Sequence, residues 1–413
     1  MKARPSFWFA MVGLAALLAG CDGEPGISTL EQARAALAAG QIDEARGFAH
    51  SHIQSEGSSG EARELLGTLA MAEGRPGDAE TEFRRAKAEG YDHPSLAIKL
   101  MRSQLHQGNL EALVEAKPDW SRLTPAEKAT GLGLMGHAFL GHGKLKRARA
   151  LYSRSIDSDS HNLEGLLGML ALSASRTQPA TEEWSEKLRQ THPTSGRPDA
   201  VIGDAARRAG DFAQAEKHLQ RATDLEPNDQ HYLVQALTHI DARAWQPARV
   251  ALENAKNQET PAFRLLAARL SLGLGDPVKA GGYLEPLVAP GESRGPQHYL
   301  RAVSAYQQGK LVVAQDWLLD YLEYDEEATE PQLLLIAISH RLGDEKELER
   351  RMTALERRAP SDPNVQAMRQ WLSRSNSDAR TTGIEQAALN KPNAPGEFLF
   401  LRLHYPSVGP SSR

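Results

Sequence analysis

Between Pro198 and Asn228 the apolar positions follow the period of a helix twice, with a break between. Ile202, Ala205, Ala206 and Ala209 fall on one side of a first predicted helix. Gly210 ends it, since a glycine past the last turn takes the left-handed conformation without steric cost. Asp211 is the predicted N-cap of a second helix, with Gln214 three residues on to answer it. Ala215, Leu219 and Ala222 then mark one stripe at i, i+4 and i+7, and Pro227 ends the stretch. Small residues at 203 and 215 allow the two helices to approach closely.

The same pattern recurs. Positions equivalent to Ala215 are Ala45, Ala79, Leu113, Ala148, Ala180, Ala248, Ala280, Ala314 and Leu348, at intervals of 32 to 35 residues. The turn glycine precedes them at 40, 74, 108, 143, 210, 275, 309 and 343, and is missing from the units at 180 and 248. Regular intervals of this length predict an all-α fold, an α-solenoid of about ten helical hairpins over residues 28–373. Around Ala148 the unit supplies Met135, Gly136, Phe139, Gly143 and Tyr152, and around Ala79 it supplies Leu66, Gly67, Ala70 and Phe83. Thr124, Pro125 and Glu127 predict a capped helix start, and Asp276-Pro277 another. Pro193, Pro227, Pro261 and Pro360 are each expected near the end of a second helix. The unit at Leu113 reads as a shortened hairpin ending near Pro118. A closing helix is expected from Gln366 to Ser373. Residues 374–413 read as a polar linker followed by a degenerate repeat or C-terminal cap, in which the apolar stretch Phe398 to Tyr405 needs cover.

The unit at 198–228 resembles the tetratricopeptide repeat. Counted from Gly196, the family pattern is matched by Gly203, Ala206, Gly210, Ala215, Ala222 and Pro227, while Leu219 stands where the family prefers an aromatic. The resemblance implies a right-handed superhelix in which the first helix of each unit lines a concave, partner-binding groove. Carrying the register over places His137, Arg207, Arg208, Arg269, Tyr299, Tyr306, His340 and Arg341 on that groove. Tyrosine and arginine are enriched at binding hot spots. A groove of this character suits an acidic peptide segment or, as a second candidate, an acidic polysaccharide.

Residues 1–20 carry Lys2 and Arg4 ahead of an apolar run from Phe7 to Leu18, too short to span a bilayer comfortably. The run ends Leu18-Ala19-Gly20-Cys21, which resembles the bacterial lipobox. That resemblance implies removal of a signal peptide, lipidation of Cys21, and residues 21–27 as a lipidated linker. Asp22 resembles an inner-membrane retention signal. The expected location is therefore the cell envelope, at the periplasmic face of the inner membrane ahead of the outer membrane. With Gly90-Tyr91-Asp92-His93-Pro94 between early units, the chain also resembles the repeat lipoproteins of exopolysaccharide (PEP-CTERM) systems. The expected role is a scaffold that binds envelope proteins. Two rivals are a pilotin-like or outer-membrane assembly lipoprotein and a glycan-binding accessory of a polysaccharide enzyme.

Composition narrows the chemistry. The chain has 48 basic and 53 acidic residues, a net charge of −5, which argues against generic nucleic-acid binding. Its one cysteine leaves no intramolecular disulfide. Gly131, Gly133 and Gly136 fit the bare spacing of a dinucleotide loop, but a capped helix start precedes them, so they read as packing positions. No phosphate-cradling Gly-Lys-Ser/Thr loop and no His-Glu-x-x-His occurs. His137 and His142 read as surface residues, and Asp325 to Glu330 as a solvated acidic loop. No catalytic set, metal site or cofactor is expected, and the chain does not read as an enzyme.

Overall fold

A computed structural model describes residues 28–174, 180–287 and 296–374. The segments 1–27 and 375–413, with Cys21, Asp22 and Phe398 to Tyr405, lie outside the described residues. Within them the turn glycines behave as their positions demand: Gly40, Gly74, Gly108, Gly143, Gly210, Gly275, Gly309 and Gly343 all have φ between 68° and 79°. At the unit of Ala248, where no glycine is available, Arg243 takes the same conformation with φ 57°. The turn geometry is thus conserved within the array even where the residue that makes it easy is not.

These nine turns each join a helical hairpin, and a tenth pair of helices is linked through 175–179, outside the described residues. Thr29–Ala38 (α1) pairs with Ile42–Glu56 (α2), Gly60–Ala72 (α3) with Pro76–Ala88 (α4), and Ser95–Gln107 (α5) with Leu110–Glu115 (α6). Pro125–Gly141 (α7) pairs with Leu145–Ser158 (α8), Leu163–Ala174 (α9) with Ala180–Thr191 (α10), and Arg197–Arg208 (α11) with Phe212–Leu225 (α12). Then come Asp229–Asp241 (α13) with Trp245–Asn254 (α14), and Pro261–Gly273 (α15) with Pro277–Leu284 (α16). The last two pairs are Pro296–Gln307 (α17) with Leu311–Tyr324 (α18), and Thr329–Leu342 (α19) with Glu345–Arg358 (α20). A single helix, Pro363–Arg374 (α21), packs on α20 and opens three residues before the expected Gln366. No strand occurs among the described residues. The all-α solenoid of about ten hairpins is what the repeat spacing requires.

The chain divides into two compact units. Met1–Ser58 contains α1 and α2, with Ser28 and Glu31 forming a reciprocal capping box at the start of α1. Ser59–Arg413 contains the remaining hairpins, in which each helix packs on its neighbours in sequence. In this second unit the predicted box at Thr124 forms: its hydroxyl accepts from the Glu127 N–H, and its own N–H donates to Glu127 Oε2 at 2.9 Å. Asp211 accepts from the Gln214 N–H at 3.1 Å, and Asp276 caps α16 ahead of Pro277. Pro261 is a correction. It does not close a second helix but occupies the first turn of α15, behind the Thr260 cap, because a proline's missing N–H is already an orphan there.

Close approach of paired helices rests on glycine meeting a large side chain. A Cβ added at Gly67 would lie 2.5 Å from the Phe83 ring, and one at Gly203 2.7 Å from Leu219 Cγ. Tyr152 is gripped twice, since a Cβ at Gly136 of its own hairpin or at Gly168 of the next would lie 2.4 Å or 2.2 Å from its ring. Gly131 and Gly133 lie inside α7 and face Ile98, Trp120 and Glu164, as packing positions should.

Candidate functional site

Two charged networks lie where the first helices of successive hairpins meet. The first centres on Glu164 near the start of α9, whose side chain is 3% exposed. Arg102 of α5 donates to Oε1 at 3.0 Å, and Arg197 of α11 donates to both carboxylate oxygens at 3.1 Å and 2.8 Å. His137 of α7 closes the set, with Nε2 3.2 Å from Glu164 Oε2 and Nδ1 2.8 Å from the Tyr152 hydroxyl. A carboxylate only accepts, so Nε2 carries the proton and Nδ1 accepts from the phenol. Burial by itself would raise the Glu164 carboxyl. Arg197, His137 and Arg102 outweigh it and hold that group well below the usual carboxylate range. Burial, reinforced by Arg197 and Arg102, keeps the His137 imidazole neutral against the pull of Glu164.

The second network joins α11, α13 and α15. Asp204, fully buried, accepts from Arg207 Nε at 3.0 Å and Nη2 at 2.8 Å, and from Arg208 Nε at 2.8 Å. Arg207 also bonds Asp241, which accepts from Arg269 Nη2 at 2.9 Å. Burial disfavours the charge on Arg207, but Asp204 and Asp241 reverse this and raise it. On Arg269 burial dominates and the shift is downward. Arg269 Nη1 is buried without a hydrogen-bond partner.

Contacts also cross the array. Gln230 of α13 lies 3.2 Å from Nδ1 of His106 on α5, and Asn257 donates to the Glu73 carbonyl at 3.1 Å across 184 residues. His106 is half-buried, and burial followed by Arg102 and Arg197 pushes its imidazole down to about 4. Among the described residues no three His, Cys, Asp or Glu side chains converge as a metal site, and no helix is long and apolar enough to cross a membrane.

The tetratricopeptide repeat family model matches residues 30–112 and 201–259. These two segments carry tetratricopeptide repeats. No curated protein matches it. Among solved structures it resembles the APC/C hetero-tetramer Cut9-Hcn1 at 13% identity and TM-score 0.45, covering 90% of this chain and 95% of that one. Yeast Tom70 matches at 11% identity and TM-score 0.42, covering 87% of this chain and 98% of that one. A tetratricopeptide repeat protein from Parabacteroides merdae matches at 17% and TM-score 0.38, covering 59% of this chain and 98% of that one. Tetratricopeptide arrays are typically non-catalytic scaffolds that bind protein partners.

Within the repeats, the residues singled out from sequence separate into distinct places. Arg207, Arg208 and Arg269 come together through Asp204 and Asp241. Arg208 keeps about a third of its side chain exposed, whereas Arg207 and Arg269 are buried. His137 has no exposed surface, so it is an interior bonding partner and not the surface or groove-facing residue its position suggested. Tyr299 and Tyr306 are likewise buried: Tyr299 tilts against Tyr321 with ring centroids 5.8 Å apart, and Arg341 lies 5.0 Å over the Tyr306 ring. Burial pushes the Tyr299 phenol up. Arg341 itself is exposed and His340 half-buried. Arg102, Glu164, Arg197, Asp204 and Asp241 were not singled out from sequence. Glu164 carried a readable signal, as the single charged residue of the helix LEGLLGMLALSA. Asp204 stood three and four residues before Arg207 and Arg208, an i,i+3/i,i+4 spacing that could have drawn attention to it, whereas Arg102, Arg197 and Asp241 had no such signal, because their partners lie one or two hairpins away.

Proposed function

We propose that the protein is a lipid-anchored scaffold of the bacterial cell envelope that holds an acidic protein partner against the first helices of its repeats. The observation that carries this reading is a surplus of guanidinium over carboxylate in both networks. Two arginines face one glutamate around Glu164, and three face two aspartates around Asp204, with Arg269 Nη1 unpartnered. A surplus of partly desolvated cations is stabilised when an anion meets it. Arg102, with 40% of its side chain exposed, and Arg208, with 31%, are the members a partner's carboxylates reach. The Leu18-Ala19-Gly20-Cys21 run supports acylation at Cys21, and Asp22 supports retention at the periplasmic face of the inner membrane. Gly90 to Pro94 supports a place in exopolysaccharide assembly.

Crosslinking and pull-down of the full chain from native membranes tests the scaffold. A specific partner is expected with the native chain and not with the Arg102→Glu/Arg208→Glu variant. Equal recovery by both overturns the docking face. Labelled-palmitate incorporation tests the anchor: Cys21→Ala should lose the label and leave the membrane fraction, and retention of both refutes acylation there.

A further inference from the structure

Among the described hairpins the third has the shortest second helix, ahead of α16 with 8 residues and α14 with 10. Its second helix, α6, has 6 residues, where α4 has 13 and α8, α12, α18 and α20 have 14. The chain leaves α6 at Glu115 and runs as a loop through Lys117, Pro118 and Asp119 before Thr124 caps α7. Elsewhere two more turns of helix would lay a bulky side chain against the first helix, as Phe83, Tyr152 and Leu219 do. Here Met101 of α5 is turned into that space and buried, which compensates only in part. A cavity of about 410 Å³ remains between the end of α4, the start of α5 and the loop after α6. Its apolar floor includes Leu96, Leu100, Met101 and Ala112.

The rim is charged. Arg122 is already committed to Asp92, bonding its carboxylate and its carbonyl at 3.0 Å each. Asp119 accepts from the Ser121 N–H and hydroxyl at 3.1 Å and 2.6 Å. Lys87 and Lys117, which also line the cavity, have exposed side chains; the Lys87 ammonium acts on Asp92 only through space. With Arg122, Lys87 and Lys117 set against Asp92 and Asp119, the mouth presents a net positive charge over an apolar floor. The volume falls within the range that buries a ligand group of a few side chains' size.

We propose that this cavity is a second docking site, separate from the arginine networks, for a short acidic segment of a protein partner. One apolar side chain of that segment enters over Leu96, Leu100 and Met101, and flanking carboxylates meet Lys87 and Lys117. The proposal rests on the protein-binding reading of the array but uses other residues. Charged rims steer encounter and set specificity, while the buried anchor supplies affinity.

The test is selection of a random octapeptide display library on the purified full-length chain. Enriched peptides are expected to carry an apolar residue flanked by Asp or Glu. Their binding, read by fluorescence polarisation with labelled copies, should weaken at least about tenfold on Lys87→Glu/Lys117→Glu, which alters only exposed side chains. Ala97→Trp, placed to fill the cavity from α5, should abolish it while circular dichroism and melting temperature stay native. Enrichment of peptides indifferent to both variants, or no enrichment, overturns the proposal. Peptides lost instead on Arg102→Glu/Arg208→Glu would refute this site and leave the scaffold reading standing.

Discussion

Tyr152 shows what a single residue can carry. Its ring fills the space left by Gly136 and Gly168, and its hydroxyl donates to His137, so one side chain ties its own hairpin to the next and to the Glu164 network. Gly168→Ala would set a Cβ 2.2 Å from that ring, inside any van der Waals contact. It should destabilise by about 2–3 kcal/mol, the cost of overpacking a rigid site, read from a urea unfolding midpoint. Arg243 offers the opposite sign. It holds a left-handed turn in which its Cβ is crowded. Arg243→Gly removes that strain, partly offset by a more flexible unfolded chain, and should stabilise by roughly 0.5 kcal/mol in the same measurement. The expectation of a glycine-type turn here was legible from the interval between units, although the residue itself gave no sign of it.

At the scale of the helix, period and punctuation were enough. The stripes, the turn glycines and the caps at Thr124, Asp211 and Asp276 place the elements, because each depends on contacts within a few residues. The shortened α6 was legible too, since Pro118 follows its last apolar position. Pro261 was misplaced because a proline marks either end of a helix gap, and only the following helix shows which. What joins one hairpin to another was not legible: Glu164 meets Arg102 from 62 residues upstream and Arg197 from 33 downstream. Breaking a fully buried ion pair costs about 3–5 kcal/mol, but Arg102 and Arg197 can turn partly to water. Glu164→Ala should therefore cost about 2–3 kcal/mol. Combined with Arg197→Ala it should cost less than the two single losses added, because both remove one interaction. A strictly additive double variant would refute the network as a unit.

Across the second unit, the burial of His106 beside Arg102 and Arg197 makes the array sensitive to acid. The imidazole of His106 is pushed down to about 4 in the fold, against an ordinary value of 6.5. Between those values the unfolded chain binds a proton that the folded one refuses, so stability is lost as the pH falls from about 6.5 toward 4. His137, His231 and His239 are shifted the same way, each chiefly by burial, and add to the slope. Glu164 contributes only at lower pH, as its own depressed value is approached. His106→Asn should lose about 2 kcal/mol less stability than the native chain between pH 7 and 4.5, measured by urea titration at each pH. An unchanged slope would show that His106 is not responsible.

The sequence by itself determined the number of hairpins, their turns, their paired packing positions and the short α6, since all of these follow from local periodicity and from glycine's conformational range. It also carried the lipobox resemblance, which is a matter of adjacent residues alone. Only the tertiary structure decided which of the candidate residues are reachable. His137, Arg207, Arg269, Tyr299 and Tyr306 sit at first-helix positions whose exposure depends on how closely neighbouring hairpins stack. That closeness is set by small residues such as Gly133 and Gly168, which let α9 approach α7 and α8. Sequence spacing places a side chain on a face of its helix, whereas the distance to the next hairpin decides whether that face meets water, a carboxylate or a ring.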